Sequence, residues 1–235
     1  MEKKYKLTKE TVNLFCKTLY RIEALRDFGD VKKGDKGGYV EKEGNLYQSD
    51  DCWVYGNAMV YDNAMVYGNA KVCDNAIIYD KAVVCDNAMV YGNAKVSGNA
   101  LVYGNANVYA NAVVCDNAEV RGKAIVFDDA EVFDNAMVCD SAEVFGDTWV
   151  FGNAEIGGDV VITSNSDYIV FKNWWSSGRY FTWTRSNNMW KVGCFRGTGK
   201  ELIEKAYKDS EISGREYERV VKYVESIIAD DGKDK

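Results

Sequence analysis

The side chains best suited to chemistry in this chain are cysteines, aspartates and tryptophans, because its 235 residues include no histidine. That absence removes the commonest general base and the commonest metal ligand. Cysteines stand at positions 16, 52, 73, 85, 115, 139 and 194. Their number is odd and no two are spaced as CxxC, so neither a disulfide framework nor a zinc ribbon is expected, and reduced thiols fit a cytoplasmic setting. Asp62, Asp74, Asp80 and Asp86 are separated by multiples of six, where turn formation already accounts for them. Four of the six tryptophans, Trp174, Trp175, Trp183 and Trp190, lie near Arg179 and Arg185. Trp and Arg concentrate in binding hot spots, so Trp174, Trp175, Arg179 and Arg185 are the candidate partner-binding residues. Gly197, Thr198, Gly199 and Lys200 could hold an anion at a helix start, or form an ordinary turn and cap. No catalytic residue, metal site or cofactor is expected, and the chain does not read as an enzyme.

These residues sit on a repeat. From Val54 to Ile162 an aliphatic residue recurs at every sixth position, nineteen in all, without an insertion. From Val60 onward a small residue lies two places earlier, alanine everywhere but Thr148 and Val160. The third position of each unit is Gly or Asp except at Ala110, and the fourth is Asn in twelve of eighteen units. Residues two apart share a face of a strand, so Ala58 and Val60 point one way and Met59 the other. Gly, Asp and Asn accept positive φ at a corner. A helix cannot hold a strict period of six. Three units closing a triangle give an 18-residue coil, and eighteen units give about six coils of a parallel β-helix.

Every eighteenth residue forms a column in such a prism. One column is Tyr55, Cys73, Tyr91, Tyr109, Phe127 and Phe145; another is Tyr61, Tyr79, Ser97, Cys115, Phe133 and Phe151. Aromatic stacking at the corners explains them, and a platform for bases or other flat ligands is the alternative. The outward positions form two apolar strips. One holds Met65, Val83, Leu101 and Met137, with Glu119 and Glu155; the other holds Met59, Ile77, Val113 and Trp149, with Lys95 and Glu131. Strips of that length call for a cover, and the apolar residues of both are the candidate interface of a dimer or trimer.

Outside the repeat, residues 1–52 read as an N-terminal cap. Leu19, Tyr20, Ile22, Ala24 and Leu25 suggest one strand, and residues 29–38 (GDVKKGDKGG) suggest turns. Val40, Leu46 and Cys52 fall in register with the repeat alanines, so the cap already enters the helix. The repeat domain spans 53–163. Residues 164–235 read as a small α+β domain of βββαα type. Its strands are predicted at 168–171, 179–184 and 189–195. Capping boxes at Thr198/Glu201 and Ser213/Glu216 predict helices to about Lys208 and about Ala229.

The V-Y-G/D-N-A-x run resembles the hexapeptide-repeat superfamily, which implies a left-handed parallel β-helix shaped as a triangular prism. More narrowly, RIEALRDFGDVKKGDKGGYVEKEGNL at 21–46, CWVYGNA at 52–58 and WKVGCFRGTGKELIEK at 190–205 resemble phage and prophage proteins sometimes labelled polymer-forming. The better-known hexapeptide members are acyltransferases, commonly trimers. They use a catalytic histidine and an external loop, and this chain lacks both between 54 and 162.

The formal net charge of −7 argues against a protein that coats nucleic acid. Residues 53–162 carry 5 basic and 15 acidic side chains, so the acidic rod could instead mimic a nucleic-acid backbone. No run of 18 apolar residues would span a membrane, and no signal peptide is read at the start. The expectation is a cytoplasmic phage or prophage accessory protein in a bacterial host. It would be non-enzymatic and oligomeric, and would bind a host defence protein or a nucleotide signal. The alternatives are a self-assembling scaffold and an atypical acyltransferase.

Overall fold

The computed structural model describes residues 3–14 and 16–231. The chain forms two compact units, divided between Asn165 and Ser166.

The first unit is a three-walled parallel β-solenoid. Its repeat strands are only two residues long, such as Met59–Val60, Met65–Val66 and Lys71–Val72. Each pairs in parallel with the strand eighteen residues on: Met59 with Ile77, Ile77 with Lys95. All nineteen aliphatic residues of the six-residue period are at most 1% exposed. Neighbouring coils are joined by backbone bonds such as Met59 N–H to the Ala76 carbonyl at 2.9 Å. The corners explain the third position. All eighteen residues there, from Gly56 to Gly158, have φ between 57° and 79°. L-residues avoid that region, and Asp enters it more readily than most.

The solenoid has about seven turns rather than six, because residues before Trp53 supply a further one. Here the sequence register needs correction. Val40 pairs with Val60 and Leu46 bridges to Val66, so both occupy valine positions, not alanine positions. Cys52 does sit at an alanine position, because Trp53 and Val54 after it pair with Lys71 and Val72, which follow Ala70. The reason is spacing. Leu46 and Val54 are eight residues apart, so the corner at 47–51 holds two extra residues and shifts the period.

The cap contains more strand than expected. β1 (Tyr5–Leu14) pairs antiparallel with β2 (Lys17–Ala24), which pairs antiparallel with β3 (Lys36–Val40). All three extend one solenoid wall. Gly37 and Gly38, expected in a turn, lie inside β3. A Cβ on either would approach the Val54 or Ala58 carbonyl oxygen to 2.5 or 2.4 Å, so close approach of backbones demands glycine there.

The second unit is α+β, as the sequence predicts, with four antiparallel strands instead of three: Tyr168–Lys172, Tyr180–Thr184, Met189–Val192 and Phe195–Gly197. The predicted third strand is split at Gly193, whose φ is 53°. Helix α1 (Gly199–Asp209) carries the Thr198/Glu201 capping box. Helix α2 (Glu211–Asp231) begins ahead of the predicted Ser213 cap. Ser210 ends α1 through its N–H to the Ala206 carbonyl, and its hydroxyl accepts the Ser213 N–H at 3.1 Å. The core of this unit is Phe181, Trp183, Trp190, Leu202, Tyr217 and Val221.

Candidate partner-binding surface

In the solenoid, the polar side chains at the corners are tied into the stack. The Asp74, Asp80 and Asp140 carboxylates accept the N–H of Gly92, Gly98 and Gly158 one coil on, at 3.0, 3.1 and 2.9 Å. Asn side chains form ladders up the corners: the Asn75 amide donates to Asn93 and that of Asn93 to Asn111. The aromatic columns are stacked on themselves. Tyr91, Tyr109, Phe127 and Phe145 follow one another with ring centroids 4.6–5.0 Å apart. Their faces are therefore taken by neighbouring rings, which favours the stacking reading over a flat-ligand platform. Burial, with Asp74 or Asp116 beside them, pushes the Cys73 and Cys115 thiols up to about 11. They are held as inert thiols.

At the start of the solenoid, Lys4 is fully buried. Its ammonium donates to the carbonyls of Asp50 and Cys52 at 2.6 and 2.9 Å and to Cys52 Sγ at 3.4 Å. Burial pulls its pKa down from the usual lysine value. The Tyr5 hydroxyl donates within the same closure, where the carbonyls of Leu46 and Glu43 lie 2.8 and 2.9 Å away. Trp53 is covered here by Phe28 and Tyr5, at centroid distances of 5.3 and 6.1 Å. Lys4 carries no local signal in the sequence, because only the folded cap brings its acceptors together.

The tryptophan-rich segment behaves differently. Residues 173–179 form a turn closed by the Asn173 N–H to the Arg179 carbonyl at 2.7 Å. Asn173 Oδ1 accepts the Ser176 N–H at 2.9 Å, and its amide donates to the Tyr217 hydroxyl at 3.2 Å. This turn sets two adjacent tryptophans apart. Trp175 packs edge-on against Tyr217 at 5.0 Å and belongs to the rim of the core. Trp174 is 76% exposed. Arg179 is exposed at the end of the turn and borders a cavity of 420 Å³ with Val192, Phe195, Leu202, Lys205 and Tyr217. Burial raises the Tyr217 hydroxyl above the usual tyrosine pKa, opposed by the Asn173 hydrogen bond and the nearby Arg179 charge. The cavity thus joins an apolar floor to two cations, the Asp209 carboxylate and a protonated phenol. It suits a ligand or side chain with an apolar body and a polar, hydrogen-bonding end.

Trp174, Trp175 and Arg179 therefore share one turn, with Trp175 against the core and Trp174 in solvent, and Arg185 does not belong to it. It lies at the other end of strand Tyr180–Thr184, its guanidinium 5.8 Å from the Trp183 ring. Its Nε donates to the Ser166 carbonyl at 3.3 Å. Gly197 to Lys200 hold no open anion nest. The Glu201 carboxylate already accepts the Thr198 N–H at 2.8 Å. Among the outward solenoid residues, Met65 and Trp149 are 46% and 51% exposed. Val83, Leu101, Met137, Met59, Ile77 and Val113 are half-buried. Met65 also borders a second, apolar hollow of 370 Å³ with Tyr47 and Tyr67.

Among the described residues, no helix is long and apolar enough to cross a membrane. No curated protein matches the chain. Residues 54–68 match the family model described as YdcK Beta solenoid repeat, so the chain is similar to that family over one stretch of its repeat, in agreement with the β-solenoid it folds into.

Proposed function

We propose that the protein is a non-enzymatic binding protein. The solenoid serves as a rigid scaffold, and the docking surface is the turn at 173–179 with its adjoining cavity. The observation that carries this reading is Trp174, 76% exposed on a turn pinned by Asn173, next to Arg179 and the 420 Å³ cavity. An exposed tryptophan on a turn that ends in an arginine has the composition of a binding hot spot. In line with the resemblance to phage and prophage proteins, the proposed partner is a host component, a defence protein or nucleotide signal in the bacterial cytoplasm. That role would be counter-defence.

The test is affinity capture from host lysate, with proteins and small molecules both identified by mass spectrometry. Wild type is compared with the Trp174→Ala/Arg179→Gln variant. These side chains are exposed, so the variant should keep its circular dichroism spectrum and lose the partner. Equal capture by both proteins, or no partner at all, overturns the docking site. Acetyl-CoA turnover by purified protein would overturn the non-enzymatic reading.

A second reading is favoured by the apolar strips: a scaffold that assembles with copies of itself. The two readings are compatible, because the strips and the turn lie in different units.

A further inference from the structure

One wall of the solenoid carries a charge pattern that its own chain does not use. Its outward residues, in order, are Met59, Ile77, Lys95, Val113, Glu131 and Trp149, paired in register from coil to coil. Lys95 and Glu131 lie one coil either side of Val113. They are two coils, or roughly 10 Å, apart along the prism. Neither takes part in a salt bridge or side-chain hydrogen bond among the described residues. The wall is therefore apolar, with one unpaired charge of each sign placed symmetrically about a valine.

The other two walls differ. On the wall of Met65, Val83, Leu101 and Met137, the Tyr103 hydroxyl donates to Glu119 at 3.2 Å and Arg121 lies over Met137 Sδ at 3.2 Å. On the third wall, Trp53 is covered and Lys71 pairs with Asp30 at 2.9 Å. Only the wall centred on Val113 leaves both a cation and an anion unpaired among the described residues.

We infer that this wall is the interface of an antiparallel homodimer. Its two-fold axis would lie between the walls, across the prism axis, at the level of Val113. Such an axis sets each coil above Val113 against the corresponding coil below it in the second copy. Val113 then meets Val113 and Ile77 meets Trp149. Lys95 meets Glu131 twice, once in each direction, as an isologous contact requires. The charge of the whole rod agrees. Residues 53–108 carry 3 basic and 4 acidic side chains, whereas residues 109–162 carry 2 and 11. Antiparallel pairing keeps the two acidic halves apart; parallel pairing would stack them. A face about 24 Å tall and about 16 Å wide offers roughly 400 Å² per copy. That is about half of a standard interface, so the inferred dimer is a weak one that responds to concentration.

Sedimentation velocity over about 1 to 500 μM tests this. Wild type should approach twice the monomer mass as concentration rises. Lys95→Glu creates two carboxylate pairs and Glu131→Lys two ammonium pairs, so each should weaken the dimer by about tenfold or more. An equimolar mixture of these two variants should regain the dimer to within about threefold of wild type, because each supplies the charge the other needs. The combined Lys95→Glu/Glu131→Lys variant should do the same alone. The Met65→Lys/Val83→Lys/Leu101→Lys variant, on the other wall, should dimerise as wild type does. A wild type that stays monomeric overturns the inference, as do single reversals without effect or a mixture that is not rescued. Loss of the dimer only in the Met65 set would move the interface to the other wall. None of these outcomes bears on capture by the Trp174 turn, which is read separately.

Discussion

In the solenoid, Val96, Val114 and Val132 occupy successive copies of one position; in the C-terminal unit, Phe181, Trp183 and Trp190 fill places that occur once. The first arrangement builds its core from small side chains and many equal contacts. The second builds it from a few large rings, such as Phe181 and Trp190 at 5.8 Å. In a stack, each coil touches only its neighbours and damage stays local. In a small single core, each ring supports all the others. The same contrast separates the surfaces. Repeated Asp and Asn side chains are consumed in ladders, whereas Trp174, on a unique turn, is left facing solvent.

The largest effect should come from Trp190→Ala, since Trp190 is 2% exposed among Phe171, Phe181 and the helices. Truncating a buried tryptophan costs about 3–5 kcal/mol. That is comparable with the whole stability of so small a unit. The C-terminal unit should unfold while the solenoid melts at its usual temperature. Near-ultraviolet circular dichroism would report the first, because four of the six tryptophans lie there, and calorimetry the second. A single transition in which both units are lost would show that the two do not stand independently.

Next comes Val108→Ala in the middle of the stack, where Val108 pairs with Val90 below and Val126 above. Losing two buried methyl groups costs about 2 kcal/mol. Hydrogen exchange should accelerate in the coils around Val108 and little beyond them. Acceleration along the whole rod would mean that cooperativity extends further than nearest neighbours.

The same contrast explains what could be read in the chain beforehand. The prism was legible because nineteen positions repeat one constraint, so chance agreement is negligible. The α1 start was legible because Thr198 and Glu201 satisfy each other within four residues. The register of Val40 and Leu46 was not, because two extra residues at the 47–51 corner break the period and nothing local marks them. Lys4 was illegible for another reason: its acceptors at Asp50 and Cys52 lie more than forty residues away. Of the candidate site, the clustering of Trp174, Trp175 and Arg179 was visible. Which tryptophan faces solvent was not, because the turn around Asn173 and its bond to Tyr217 decide it.

Asp140→Ala tests the use of repeated polar groups. Its carboxylate accepts the Gly158 N–H at 2.9 Å in a part-buried contact, and Asp140 holds φ at 59°. Alanine loses the acceptor and fits that conformation less well, for a cost of about 1.5 kcal/mol. Chemical denaturation of the solenoid reads the change. An Asp140→Asn variant should lose less, because the side-chain oxygen remains. Equal losses would mean that charge, rather than shape, is what the corner uses.

The smallest effect should be a gain. Ala110 is the only third-position residue of the repeat that is neither Gly nor Asp, yet it holds the same corner, with φ at 58°. A left-handed conformation costs an alanine about 1–2 kcal/mol relative to glycine. Glycine returns part of that through the greater freedom of the unfolded chain, about 0.5–1 kcal/mol. Ala110→Gly should therefore stabilise the solenoid by about 0.5–1 kcal/mol, seen as a higher denaturation midpoint with an unchanged slope. The coil below already approaches closely, since a Cβ on Gly92 would lie 2.9 Å from the Ala110 nitrogen. Loss of stability would mean that the Ala110 methyl makes a packing contribution larger than its backbone strain, and the corners would then not be equivalent copies of one another.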